Sequence, residues 1–341
     1  MPDQTSSRKA AIAAQAQGAL QLQIAFIGIA NGLFAGLAKE PGTAAALAGT
    51  TGNDAGYVRR WLDAAYAFDL VDCEADRFTL AVLGRAFLPD SPDSLMPFAV
   101  QSVLTAHVAT RACEFMRTGE RPGESVLAER PPILPWFGPM LEQQFGKLFE
   151  QDILPSITAF QNADTARGLV IDLGCGNGWY LRTLARHFAH IQGLGIDGFS
   201  ENIQQAQSLA QRAGVGVRLQ FSVADIYTFT SDRPADAITM TRALHHVWDQ
   251  RDRVFDILHK HLTIGGAAVL WEPNWPAERA ALRDPLRRVM AFQNLTEHVQ
   301  GNHFLQAEEI ATAARAAGLV PEIHLFAQGK EVVVVARKER A

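Results

Sequence analysis

Apolar and polar positions alternate in two different periods along the chain, and the change of period divides it. Residues 8–38 carry apolar and small side chains at helical spacing with no charge between Ala10 and Leu37, which predicts one long helix with almost no polar face. Thr43 to Ala48 and Asp54 to Ala67 read as a short and a longer helix, with Asp54 placed to cap the second. Leu70-Val71, a turn at Asp76-Arg77 and Phe78 to Val82 predict a β-hairpin. Two proline-rich patches, Pro89 to Pro97 and Pro131-Pro132 to Pro139, bracket a helical stretch from Phe98 to Met116, and Met140 to Phe160 reads as a further helix.

From residue 170 onward the period becomes that of buried strands. Val170-Ile-Asp-Leu-Gly-Cys-Gly-Asn-Gly-Trp-Tyr180 is an apolar run that ends in an acid and then breaks at Gly174, Gly176 and Gly178. Glycines at that spacing permit a tight turn and a close approach to a ligand, and the helix Tyr180 to Phe188 then directs its amide end into the turn. Gly193 to Asp197, Val217 to Ala224, Ala235 to Met240 and Ala267 to Trp271 follow as strands, the last entered through Leu262-Thr-Ile-Gly-Gly266. Glu322 to Phe326 and Glu331 to Ala336, separated by Gln328-Gly329-Lys330, predict an antiparallel hairpin that closes the sheet.

Length and composition narrow the function. The chain has 341 residues, 48% hydrophobic and 20% charged, enough for two domains with a substantial core. Its net charge of −5 lacks the basic footprint of a nucleic-acid binder. Three cysteines, Cys73, Cys113 and Cys175, have no C-x-x-C spacing, which argues against a disulfide framework or a cysteine zinc site and for a reducing, cytoplasmic setting. The polar N-terminus has no hydrophobic leader segment, and the glutamines and Asn31 within residues 10–38 argue against a membrane span.

The D-x-G-x-G-x-G spacing, with acids closing the following strands, resembles class I S-adenosylmethionine (SAM) methyltransferases. That resemblance implies an α/β, Rossmann-like sheet of seven strands with an antiparallel terminal hairpin, preceded by a helical, winged-helix N-terminal domain. It implies SAM held by Asp172, Gly174, Cys175, Gly176, Gly178, Asp197, Gly198, Asp225, Ile226 and Thr241. Asp197 would accept from the ribose hydroxyls, Asp225 from the adenine amino group, and Ile226 would pack on the ring. The unit at residues 43–88 resembles the winged helix of small-molecule O-methyltransferases, and this implies a homodimer built through the N-terminal helices. The expected domains are residues 1–95 for dimerisation, 96–160 as a connector lining the substrate chamber, and 161–341 for SAM binding and catalysis.

The reacting centre is read from two segments. Thr241-Arg-Ala-Leu-His-His-Val-Trp-Asp249 follows the fourth strand and offers His245, His246, Asp249 and Arg242 as catalytic candidates. In the O-methyltransferase pattern His245 falls on the general base, and a neutral imidazole suits that role near neutral pH. Phe292 to His303 follows the fifth strand and adds His298. A pair of histidines there resembles the metal-dependent C-methyltransferases of 2-oxo acids, of the 2-ketoarginine and phenylpyruvate types, with a one-residue difference in spacing around His298. That resemblance implies a zinc or iron ion on His245 and His298, with His246 and His303 as competitors, and a metal-stabilised enolate of a 2-oxo acid methylated at C3. Arg242 would face the substrate carboxylate. Glu297, Asp249, Glu142 or Glu150 would meet a guanidinium tail, and Trp136, Phe137, Phe145, Leu148 and Phe292 an apolar one. A metal-free O-methyltransferase with His245 as base, and a SAM-sensing winged-helix regulator without catalysis, are the alternatives.

Overall fold

The computed structural model describes residues 4–123, 126, 129 and 133–340, so Pro131 and Pro132 lie outside the described residues. The chain forms two compact units, one of Met1–Thr110 with Arg130–Gln144 and one of Arg111–Glu129 with Phe145–Ala341, so the expected connector is divided between them.

In the first unit the expected single N-terminal helix is two, α1 (Gln4–Ala30) and α2 (Leu33–Lys39). They part at Asn31 and Gly32, whose φ of 67° suits glycine, and the Asn31 amide donates to the Ile27 carbonyl. Only the last third of α1 is buried: Ala25, Phe26 and Ile29 enter a core with α2, α3 (Ala44–Thr51) and α4 (Ala55–Ala67). Residues 5–17 are exposed in the single chain, so α1 is not an ordinary core helix. Its stretch Thr5–Ala30 is long and apolar enough to cross a membrane by length and composition alone. Gln15, Gln17, Gln21 and Gln23 nonetheless recur along it, and its last third packs into a protein core.

Asp54 caps α4 by accepting from the Tyr57 amide at 2.9 Å. Strands β1 (Val71–Glu74) and β2 (Arg77–Leu80) pair as the hairpin, with the turn at Ala75 and Asp76, one residue earlier than expected. Both have positive φ, the two-residue turn that matches strand twist.

The second unit is built on a seven-stranded sheet in the order β5-β4-β3-β6-β7-β9-β8. The strands are β3 (Leu169–Leu173), β4 (Gln192–Asp197), β5 (Leu219–Val223), β6 (Ala235–Thr241), β7 (Leu262–Pro273), β8 (Val320–Phe326) and β9 (Glu331–Arg337). The first five are parallel, and β9 runs antiparallel between β7 and β8. Central strands are covered on both faces, which is why β3 and β9 read as nearly unbroken apolar runs. This is the Rossmann-like seven-stranded sheet with an antiparallel terminal hairpin that was expected. The chain leaves β3 toward β4 and β5, then returns to β6 on the other side of β3. That reversal opens a crevice at the carboxyl ends of β3 and β6.

The expected helix from Met140 to Phe160 is instead four segments. The helix Leu134–Leu148 widens into a π turn at Phe149–Ile153, continues to Ser156, and breaks at Ile157 before Thr158–Thr165. Pro155 has no amide to continue the ladder, and the extra residue of the π turn sets Phe149 among Trp179, Tyr180, Trp271 and Phe160.

Candidate active site

Three successive parallel strands, β3, β4 and β5, end in acids or lead into them, and all of these lie at the crevice end of the sheet. Asp172 closes β3 and is buried, accepting from the Thr239 hydroxyl at 2.7 Å. Burial pushes its carboxyl up to about 7; the Thr239 bond opposes this and the nearby Asp197 charge adds to it. The chain then turns through Gly174, Gly176 and Gly178, with φ of 77°, 52° and 72°. A Cβ on Gly178 would lie 2.6 Å from the Phe221 ring and one on Gly174 2.7 Å from Ala243, so only glycine lets this turn close.

Asp197 closes β4. One of its oxygens accepts from the Gly176 amide at 2.9 Å, and the other from the Phe199 amide at 2.9 Å and the Asn202 side chain at 3.0 Å. Asp225, exposed just after β5, caps the turn Ile226–Thr228. Thr241 ends β6, half-buried opposite Trp271. Cys175 is buried and its thiol is pushed well above its usual range, chiefly by burial and then by Asp172 and Asp197, so it is inert. Asn177, inside the glycine turn and buried, has a side-chain amide nitrogen with no partner among the described residues. An orphaned donor inside a cradle of positive-φ glycines, flanked by Asp197 and Asp225, fits a polar adenosyl ligand.

The second centre lies between β6 and β7. His245 stands on the short 3-10 helix Leu244–Gln250 and is buried. Its Nδ1 is 2.6 Å from a carboxylate oxygen of Glu272, the residue that follows Trp271 at the end of β7. The other oxygen of Glu272 accepts from the Leu244 amide at 2.7 Å and the His245 amide at 3.4 Å. Burial alone would push this carboxyl up, but His245, then Arg242 and His246, hold it below its usual range. It is therefore a buried carboxylate matched to an imidazole. The Nε2 of His245 faces a Glu297 oxygen at 3.7 Å. The His246 ring lies 4.1 Å from that of His245, and its Nδ1 is 2.8 Å from the Asn302 amide nitrogen. Ligand atoms of His245, His246 and Glu297 all lie within 4.8 Å of one another.

Residues 170–266 match the family model described as a methyltransferase domain. That segment of the chain is a methyltransferase domain. A trans-aconitate 2-methyltransferase from Pseudomonas aeruginosa is 24% identical over 150 residues, 44% of this chain and 51% of that protein. The chain thus spans about half the length of that curated relative. Among solved structures, an O-methyltransferase family protein from Burkholderia thailandensis aligns with a TM-score of 0.70 at 19% identity, covering 98% of both chains. An O-methyltransferase from neocarzinostatin biosynthesis, solved with S-adenosyl-L-homocysteine and 1,4-dihydroxy-2-naphthoic acid, aligns with a TM-score of 0.63 at 17% identity over 93% of this chain and 95% of its own.

Within the methyltransferase domain the residues expected at the cofactor line one turn and the ends of β4, β5 and β6. The residues expected at the reacting centre separate. His245 and His246 stand together, but Asp249, His298 and His303 are exposed. On the helix Arg288–Val299 neighbouring positions differ by about 100°. Glu297, not His298, is therefore the side chain that reaches His245. Arg242, expected to meet a substrate carboxylate, is instead paired with Glu331 at 2.8 Å and stacked 4.2 Å over the Phe145 ring. Glu272 was not among the expected residues. Its signal was an acid closing the fifth parallel strand, as Asp172 and Asp197 close earlier ones.

Proposed function

We propose that this protein transfers a methyl group from SAM to a small acceptor whose acidic proton is taken by His245. The observation that carries this reading is the buried Glu272–His245 contact. A carboxylate accepting from Nδ1–H fixes the tautomer, leaves the Nε2 lone pair free to take a proton, and stabilises the imidazolium that results. Glu297 at 3.7 Å adds a second negative group on the proton-accepting side. SAM supplies the electrophilic methyl when bound. In this reading the glycine turn lets the ligand approach the backbone, Asp197 would accept from the ribose hydroxyls, and Asp225 from the adenine amino group. Phenols and enolisable 2-oxo acids both have a proton within reach of an imidazole base. The test is SAM turnover against a panel of both, read as S-adenosylhomocysteine and methylated product by mass spectrometry. Turnover on no acceptor in the presence of bound SAM would sink the reading.

The cluster of His245, His246 and Glu297 supports a second reading, metal-assisted C3 methylation of a 2-oxo acid, with 5-guanidino-2-oxopentanoate as the leading candidate, in the making of a β-methylated amino acid. Two imidazoles and a carboxylate suit zinc or iron, and Glu272 and Asn302 are the outer partners that orient such ligands. A metal there would act as a Lewis acid on the acceptor oxygens. Under this reading chelation abolishes turnover on 2-oxo acids and added metal restores it, whereas a His245-only reaction is indifferent to chelator.

The helices α3 and α4 followed by the β1–β2 hairpin support the winged-helix reading of the first unit. The exposed apolar length of α1, with Ile12, Leu20 and Ile27 at 64%, 52% and 47% exposure, supports a homodimer formed through this helix. Light scattering on the eluting protein is expected to give twice the chain mass of 37.2 kDa, and deletion of residues 1–20 to give the single mass.

A further inference from the structure

We infer that Arg242 is a positioning residue that clamps the turn carrying His245 onto the strand end carrying Glu272. The inference rests on the reading of His245 as base. Arg242 has a φ of 54°, a left-handed conformation that is strained for a non-glycine residue. Such a conformation persists where its surroundings over-determine it, and here three contacts do so. The Arg242 amide donates to the Trp271 carbonyl at 2.7 Å, its guanidinium to Glu331 at 2.8 Å, and its charge lies over the Phe145 ring.

Glu331 closes the loop. The same oxygen that takes the guanidinium also accepts from the Trp271 indole at 2.9 Å. Glu331 sits opposite Pro273 in the β7–β9 ladder. Trp271 is therefore held from both its carbonyl and its ring, and Glu272 is the next residue. On the other side, Arg242 is three residues before His245, and between them the Leu244 amide reaches Glu272. The two halves of the His245–Glu272 contact come from separate elements, and the Arg242–Glu331–Trp271 ring sets their spacing. The Arg242 side chain is only 13% exposed and its donors point at Glu331, so it has no direct part in holding an acceptor. A hydrogen bond of 2.6 Å is lost by displacements well under 1 Å, so a clamp at this place acts on catalysis without touching substrate.

Arg242→Gly is the informative change, because glycine keeps the positive φ at no steric cost while the guanidinium is removed. Two readouts are taken on the full chain. In protein labelled with 15N-histidine, the low-field Nδ1–H resonance of His245, assigned by its loss in His245→Gln, reports the contact with Glu272 whether or not an acceptor turns over. Steady-state kinetics then separate kcat from KM. Arg242→Gly is expected to lose or shift that resonance and to lower kcat by about 100-fold, with SAM affinity within about threefold of the parent. Arg242→Lys, which keeps the charge but not the planar fork, is expected to fall between. Glu331→Gln, which retains an acceptor for Trp271, is expected to move both readouts in the same direction and covers the case in which Arg242→Gly does not fold. An unchanged His245 resonance in Arg242→Gly and Glu331→Gln, or a rise confined to the acceptor KM, overturns the inference. If the parent methylates nothing, the reading of the base fails, while the resonance still decides the positioning.

Discussion

His245→Ala is expected to lower kcat by about two to four orders of magnitude, with SAM affinity little changed, because it removes the proton acceptor and leaves the cofactor cradle intact. Glu272→Gln is expected to fall nearly as far, and the reason is specific to this geometry. One Glu272 oxygen serves the Leu244 and His245 amides and the other serves His245 Nδ1. A glutamine has a single oxygen, so either the backbone amides or the ring faces an NH2 group. If the NH2 faces Nδ1, the imidazole proton moves to Nε2 and the lone pair points away from the acceptor. Kinetics of the two variants with SAM binding by calorimetry check this. A Glu272→Gln variant within about threefold of the parent kcat would remove the carboxylate from the mechanism.

The second large effect is a dependence of stability on pH through Asp172. Its carboxyl titrates near 3.8 when exposed and is pushed up to about 7 in the fold by burial. The folded state therefore holds the proton more tightly than the unfolded chain. The stability of the neutral form is fully present below pH 4 and is lost progressively as pH rises through about 7, above which both states are ionised. The shift of about three pH units corresponds to about 4 kcal/mol. Asp172→Asn keeps an acceptor for Thr239 and removes the titration. Urea unfolding is expected to show the variant close to the parent at pH 5 relative to pH 8, where it is more stable by several kcal/mol. A difference between the two proteins that does not grow between pH 5 and 8 would contradict this assignment. A carboxylate kept at such cost beside the glycine turn is the usual trade of stability for ligand binding, and the variant is expected to bind SAM more weakly.

Much of the second unit was legible along the chain for a local reason. Strands buried on both faces are apolar runs whatever they pair with, and the turn after Leu173 needs positive φ at Gly174, Gly176 and Gly178 whatever it binds. The succession of strands along the chain, the acids closing β3 and β4, and the terminal hairpin follow from these local demands. The break at Asn31-Gly32 in the N-terminal helix was written in the sequence too, but the helical period on either side masks it. The π turn at Phe149 arises from packing against Trp179, Tyr180 and Trp271, far away in sequence, and has no local signature.

The amino-acid order by itself determined the sheet, the glycine turn and the placing of His245 after the fourth parallel strand, since each rests on neighbours in sequence. Only the tertiary structure decided which groups act on His245. Glu272 reaches it across 27 residues and Glu331 reaches Arg242 across 89, and a solitary acid in a sequence carries no mark of its partner. The choice of Glu297 over His298 rests on about 100° of helix rotation, which is set by how one helix packs and not by the order of two adjacent residues.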